Sequence, residues 1–193
     1  MELQHASSPV RAKGLGLPRP LQKVFGRIQR NHALEHATIN LLTQQYPGAR
    51  VMGMSGPMGF ALYSSLTAEE VIPAVRQALS ALQAGESWLA VHANCGTNLV
   101  ITAMMTTLAS LLGLGYGRRS RRGLIDFAQR LPQVVLLNAA ALAVAEPVAR
   151  WVQTNWTTNP DLGDTEISSF FTDFQGGLRR VRVHTRQVRA PQE

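Results

Sequence analysis

The stretch Leu99–Tyr116, LVITAMMTTLASLLGLGY, sets the architecture of the chain. It is nearly all apolar, and no Asp, Glu, Lys or Arg occurs anywhere from Ser87 to Gly117. Its length approaches what a helix needs to cross about 30 Å of hydrocarbon. Gly117 closes it, and Arg118, Arg119, Arg121 and Arg122 follow at once. A second apolar run, Leu131–Val148, is richer in alanine and carries Asn138, Glu146 and Pro147. A short basic loop between two apolar helices reads as a transmembrane hairpin, spanning 97–150 with its loop at 117–123. A buried pair of helices in a soluble bundle is the alternative. The positive-inside rule assigns the loop to the cytoplasm. Two crossings return the N- and C-terminal parts to one side of the bilayer, in a multi-pass protein of the cell membrane.

Outside this hairpin the periodicity changes. A first helix is expected over about Pro20–Gln45. Met52–Met54 and Phe60–Tyr63 are short apolar runs separated by Ser55-Gly56-Pro57, the pattern of a β-hairpin or tight turn. Thr67-Ala-Glu-Glu70 has the form of a capping box. It opens a helix with Val71, Ile72, Val75, Ala78, Leu79 and Leu82 on one face, which stops at Gly85. Trp88–His92 reads as a strand leading toward the first span. Beyond the second span, Ile167–Phe174 and Leu178–Thr185 flank Gln175-Gly176-Gly177 as a second hairpin. Val181 and Val183 alternate there with Arg180, Arg182 and His184, as in a strand with one wet face.

The expected fold class is therefore α+β. A small antiparallel or mixed sheet with two helices is joined to a two-helix transmembrane hairpin. The domain boundaries follow: a disordered basic arm at 1–19, an α/β domain at 20–96, the hairpin, a C-terminal β-hairpin at 151–187 that joins the same sheet, and a disordered tail at 188–193.

The chain has 193 residues, 45% of them hydrophobic, with Lys+Arg 19 against Asp+Glu 12 and a net charge of +7. Such a balance suits an anionic membrane surface or topology signals as well as nucleic acid. Aromatic residues do not interleave with the arginines as on a stacking platform, so nucleic acid is not expected as a partner. The bilayer is the expected partner, with a protein partner or a second copy also open. The single cysteine, Cys95, excludes an intramolecular disulfide. Met1–Pro20 has no apolar core of a secretory signal, so insertion is expected from the interior segments.

One group of residues breaks the apolar pattern in a way that suggests chemistry. On a helical wheel Leu21, Phe25, Ile28, Ile39 and Leu42 share a face, and His32, Glu35 and His36 fall within it. Buried polar groups without partners cost several kcal/mol, so something must satisfy these three. His32 and His36 stand at i and i+4, where two imidazoles can share a metal ion. Glu35 can act as general base or as an outer partner of a ligand. A second polar group, His92-Ala-Asn94-Cys95-Gly-Thr97-Asn98, stands just ahead of the first span. His92 and Cys95 form an H-x-x-C pair suited to zinc. The candidate site is thus His32, His36, His92 and Cys95 for Zn2+, with Glu35 catalytic. Two other readings stay open. The trio is a structural hydrogen-bond network in a non-enzymatic accessory or assembly protein, or Cys95, at a helix start, is a nucleophile or a small buried residue.

The string His32-Ala-Leu-Glu35-His36 resembles the H-x-x-E-H signature of inverzincin metallopeptidases, in which two histidines hold zinc and a glutamate activates water. The chain departs from that family in its short length and in having no downstream glutamate that stands out as a third ligand. Taken together, HALEHATINLL, GESWLAVHANCGTNLV and the two apolar spans resemble an uncharacterised family of bacterial multi-pass membrane proteins, a domain of unknown function. That resemblance runs from about Arg30 to Arg186 and implies membrane insertion but no activity. A metal-dependent hydrolase of peptide or other acyl bonds is the enzyme class that the residue types suggest.

Overall fold

The computed structural model describes residues 18–115 and 124–188. The expected N-terminal arm up to Leu17, the loop 117–123 and the tail beyond Val188 lie outside the described residues. In chain order the elements are α1 (Arg19–Gln45), β1 (Val51–Gly56), β2 (Gly59–Ser64), α2 (Ala68–Gln83), a 3-10 turn (Ser87–Ala90), α3 (Gly96–Leu114), α4 (Leu124–Val152), a π-helical turn (Gln153–Thr157), β3 (Thr165–Gln175) and β4 (Leu178–Gln187). The fold class is α+β, as the sequence predicts. The chain divides into two compact units: one runs up to His92 and resumes at Gln153, and the other is Ala93–Val152.

In the first unit the four strands form one antiparallel sheet of order β1-β2-β4-β3. The C-terminal hairpin does join the N-terminal one, since β4 pairs with β2 from Gly59↔His184 to Ser64↔Arg179. The β3–β4 turn uses Gly176 and Gly177 at φ 60° and 80°. Two consecutive left-handed positions suit the twist of a two-residue hairpin and favour glycine. Alternation then decides which face is covered. Phe60 and Leu62 of β2 and Val181 and Val183 of β4 are buried in one core with Leu34, Ala37 and Leu42 of α1 and Val71, Val75 and Ala78 of α2. Burying each large aliphatic among these contributes about 1.5–3 kcal/mol. α2 starts where Glu70 accepts the Thr67 N–H at 2.6 Å, and the chain turns at Gly85, φ 96°.

Two readings of the sequence need correction. Trp88–His92 is not a strand: Ser87–Ala90 is a 3-10 turn followed by extended chain. Leu89 and Ala90 are both buried, whereas a half-buried strand would alternate. The carbonyls of Leu89, Ala90 and Val91 are taken by Asn40 and His36 of α1. The apolar face of α1 also stops short of Leu21, which is 52% exposed. From Asn31 to Leu42, by contrast, the helix is buried nearly all round. α1 packs on β1, β2 and α2 and also touches the 3-10 and π-helical turns, so a one-sided stripe underestimates its burial.

The second unit is a helical hairpin. Gly113 lies against Val134, where an added Cβ would meet Val134 Cγ2 at 2.8 Å. Asn138 Nδ2 donates to Ser110 Oγ at 3.0 Å and to its own helix at Val134 O. The two pairs run in opposite directions along the chain, so α3 and α4 are antiparallel. Both helices are long and apolar enough to cross a membrane. Their outward side chains are apolar, with Leu99 74% and Leu136 71% exposed. α4 contains Glu146 and Pro147 and runs on to Val152, just past the expected boundary at 150. Glu146 is answered one turn on by Arg150 at 2.7 Å.

Candidate metal centre

α1 carries two polar rows, and they face different neighbours. Gln29, His32, His36 and Asn40 follow one another at i, i+3, i+7 and i+11, a single edge of a helix. Gln29 Nε2 donates to Trp156 O at 2.7 Å, and the Asn159 N–H returns to Gln29 O at 3.0 Å. His32 Nδ1 meets Thr157 O at 3.0 Å, and His36 Nδ1 meets Ala90 O at 2.8 Å. Asn40 gives both amide hydrogens to Leu89 O and Val91 O, at 2.9 and 3.0 Å. Its oxygen is thereby turned to His92 Nδ1, at 2.7 Å. The buried Gln153 holds the same segment through Oε1, which accepts the His92 N–H at 3.1 Å.

These partners decide the tautomers. A carbonyl oxygen only accepts, so His32, His36 and His92 each donate from Nδ1. When each ring is neutral, its Nε2 then carries the lone pair. This is the orientation in which metal-ligating histidines are held, with the far ring nitrogen donating to an oxygen. His36 is 1% exposed, and its Nε2 has no hydrogen-bond partner among the described residues. Nitrogen donor atoms of His32 and His36 lie within 4.8 Å of each other. Their ring centroids are 4.2 Å apart, and those of His36 and His92 are 6.0 Å apart. Two imidazoles on one tetrahedral zinc would stand roughly 5 Å apart by centroid. His36 is thus central, with His32 close and His92 a step further out. Burial holds His92 below the usual imidazole range, and the neighbouring His36 adds to this.

The second row, Asn31 and Glu35, faces the sheet. Asn31 Nδ2 donates to Gly56 O at 2.7 Å, and its oxygen accepts from Thr185 Oγ1 at 2.7 Å. Glu35, 5% exposed, accepts a hydrogen bond from Ser55 Oγ. It lies under Gly53, where an added Cβ would fall 2.1 Å from Glu35 Oε1. Burial raises its proton affinity, while Ser55 and the charge of His32 oppose the rise. The wheel placed Glu35 with the histidines; in three dimensions it is turned toward β1. Cys95 belongs to the second unit, three residues after His92. It is the N-cap of α3, and its sulfur accepts the Thr97 N–H at 3.4 Å.

Sequence reasoning missed Asn40, Gln153 and Thr157. Asn40 had a signal, since it continues the His32–His36 spacing by one more turn. Gln153 and Thr157 had none, because only the returning chain brings them to His92 and His32.

An α+β domain carrying a histidine cluster, with a pair of long apolar helices inserted in its chain, is the class that fold and site define. Residues 27–170 match the family described as a domain of unknown function, DUF6391, and the chain belongs to it. The chain is also similar to an uncharacterized protein of Picosynechococcus sp., at 32% identity over 145 residues. That match covers 70% of this chain and 61% of the relative, so the chain spans about six tenths of the relative's length. No solved structure matches.

Proposed function

We propose that this is a membrane protein that binds a divalent transition metal of the zinc class through Nε2 of His32 and His36. Cys95 and His92 are the candidates for the remaining donor positions. The observation that carries this reading is the buried Nε2 of His36, without a hydrogen-bond partner among the described residues, beside His32, on a ring whose other nitrogen is tied to Ala90 O. A buried polar atom left without a partner costs about 1–3 kcal/mol, and a metal ion removes that cost. Cys95 enters on chemistry and chain proximity: a thiolate beside imidazoles suits zinc, and only Ala93 and Asn94 separate it from His92. Membrane insertion rests on the length and apolar exteriors of α3 and α4.

The test is elemental analysis of the full chain purified in detergent without chelator. About one equivalent of metal is expected, falling below a tenth in His36→Ala and in His32→Ala. Metal-free protein that takes up no zinc and melts at the same temperature with and without it would overturn the proposal. It would leave the histidines as a structural network in a non-enzymatic accessory protein.

A finer reading makes the centre hydrolytic. A bound divalent cation would supply Lewis-acid chemistry, and Glu35 would accept a proton from water. Glu35's raised proton affinity and its place one helical turn from His32 favour this. Its hydrogen bond to Ser55, on the sheet side of α1, favours a supporting role instead. Glu35→Gln separates the two: retained metal with loss of hydrolysis of acyl or peptide substrates marks a base, and unchanged turnover removes it from the chemistry.

A further inference from the structure

In the first unit, three arginines converge on a cavity of about 190 Å³. Arg27 and Arg30 come from successive turns of α1 and Arg186 from the end of β4; among the described residues the lining includes no Asp or Glu. The volume is that of roughly six water molecules. Its walls are held in place. Asn31 is pinned between Gly56 O and the Thr185 hydroxyl, and the Thr185 N–H donates to Met58 O at 3.0 Å. The Gln187 amide oxygen accepts from Arg30 Nε and Nη2, at 2.8 and 2.6 Å. Arg186 uses Nε and Nη2 on Glu166, at 3.2 and 3.0 Å. Both guanidiniums are thereby aimed, while each keeps an Nη1 outside these bonds. Burial and the charge of Arg27 act against the Arg30 cation, and Asp161 only partly offsets them.

We propose that this cavity binds a phosphate group, with Arg27, Arg30 and Arg186 around its oxygens. Three guanidiniums match a phosphate better than a carboxylate, because a tetrahedral dianion can take forked donors from several sides. The same chemistry is offered by a soluble phosphomonoester and by a phospholipid headgroup. The site does not depend on the metal proposal, and its test is built to fail separately.

The experiment measures thermal stability of the full chain in phosphatidylcholine nanodiscs. One arm adds inorganic phosphate against sodium chloride at equal ionic strength; the other replaces a third of the lipid with phosphatidic acid. A saturable rise with inorganic phosphate identifies the soluble source, and a rise only with phosphatidic acid identifies the headgroup. In either arm Arg30→Gln/Arg186→Gln should weaken the response at least tenfold, while added chelator leaves it unchanged. If the double variant does not fold, Arg27→Gln, altered at an exposed position, should weaken it threefold or more. No rise in either arm, or an undiminished rise in the arginine variants, overturns the proposal.

Discussion

At the residue scale the centre of interest is His36, whose two ring nitrogens have opposite circumstances. Replacing it by Ala removes the hydrogen bond to Ala90 O, which the fold buries, and should destabilise metal-free protein by about 1–3 kcal/mol. Chemical denaturation with chelator present measures this apart from metal loss. Titration in metal-free protein has two opposed signs. His92 is held below its ordinary 6.5, so its share of stability is present at high pH. That share is lost as pH falls through 6.5 toward the folded value, because the unfolded chain takes the proton first. Glu35 is raised above 4.5, so its share is fullest at low pH and is lost as pH rises from 4.5 through the folded value. His92→Asn should flatten the acid-side fall in melting temperature, and Glu35→Gln should raise melting at pH 7 by a few degrees. Opposite slopes in the variants would refute these assignments. Gly53→Ala drives a Cβ into Glu35 and should cost about 1–3 kcal/mol. The cost should largely vanish in a Glu35→Ala background, a coupling that a double-mutant cycle reads directly.

At the scale of elements, legibility followed the periodicity. Both hairpins and both amphipathic helices were visible because two-residue alternation and helical spacing survive in sequence. Trp88–His92 was misread because α1 side chains, rather than a neighbouring strand, take the carbonyls of its apolar run. The i, i+4 histidines were legible as a pair, and their tautomers were not, since Thr157 O and Ala90 O lie 125 and 54 residues away in sequence. Within the helical hairpin, Gly113 lets the two backbones approach. Gly113→Leu should force α3 from α4 and lower the melting temperature in detergent, whereas Asn138→Leu removes one interhelical hydrogen bond and should cost about 0.6–2 kcal/mol. A hairpin equally stable with leucine at position 113 would argue against this close contact.

At the scale of the whole molecule, the sheet order β1-β2-β4-β3 places the last strand of the chain beside the second. Deleting 165–193 removes Val181 and Val183 from the core and should leave the first unit unfolded, read by loss of β-signal in circular dichroism. The order also has a temporal side. During synthesis β2 waits for its neighbour until the pair of long helices has been made, and His32 waits equally for Thr157 O. The first unit therefore closes after translation has passed the second, and the histidine centre is among the last features to mature. A nascent chain stalled before residue 153 should present protease-sensitive N-terminal residues, with protection arriving only once β4 clears the ribosome.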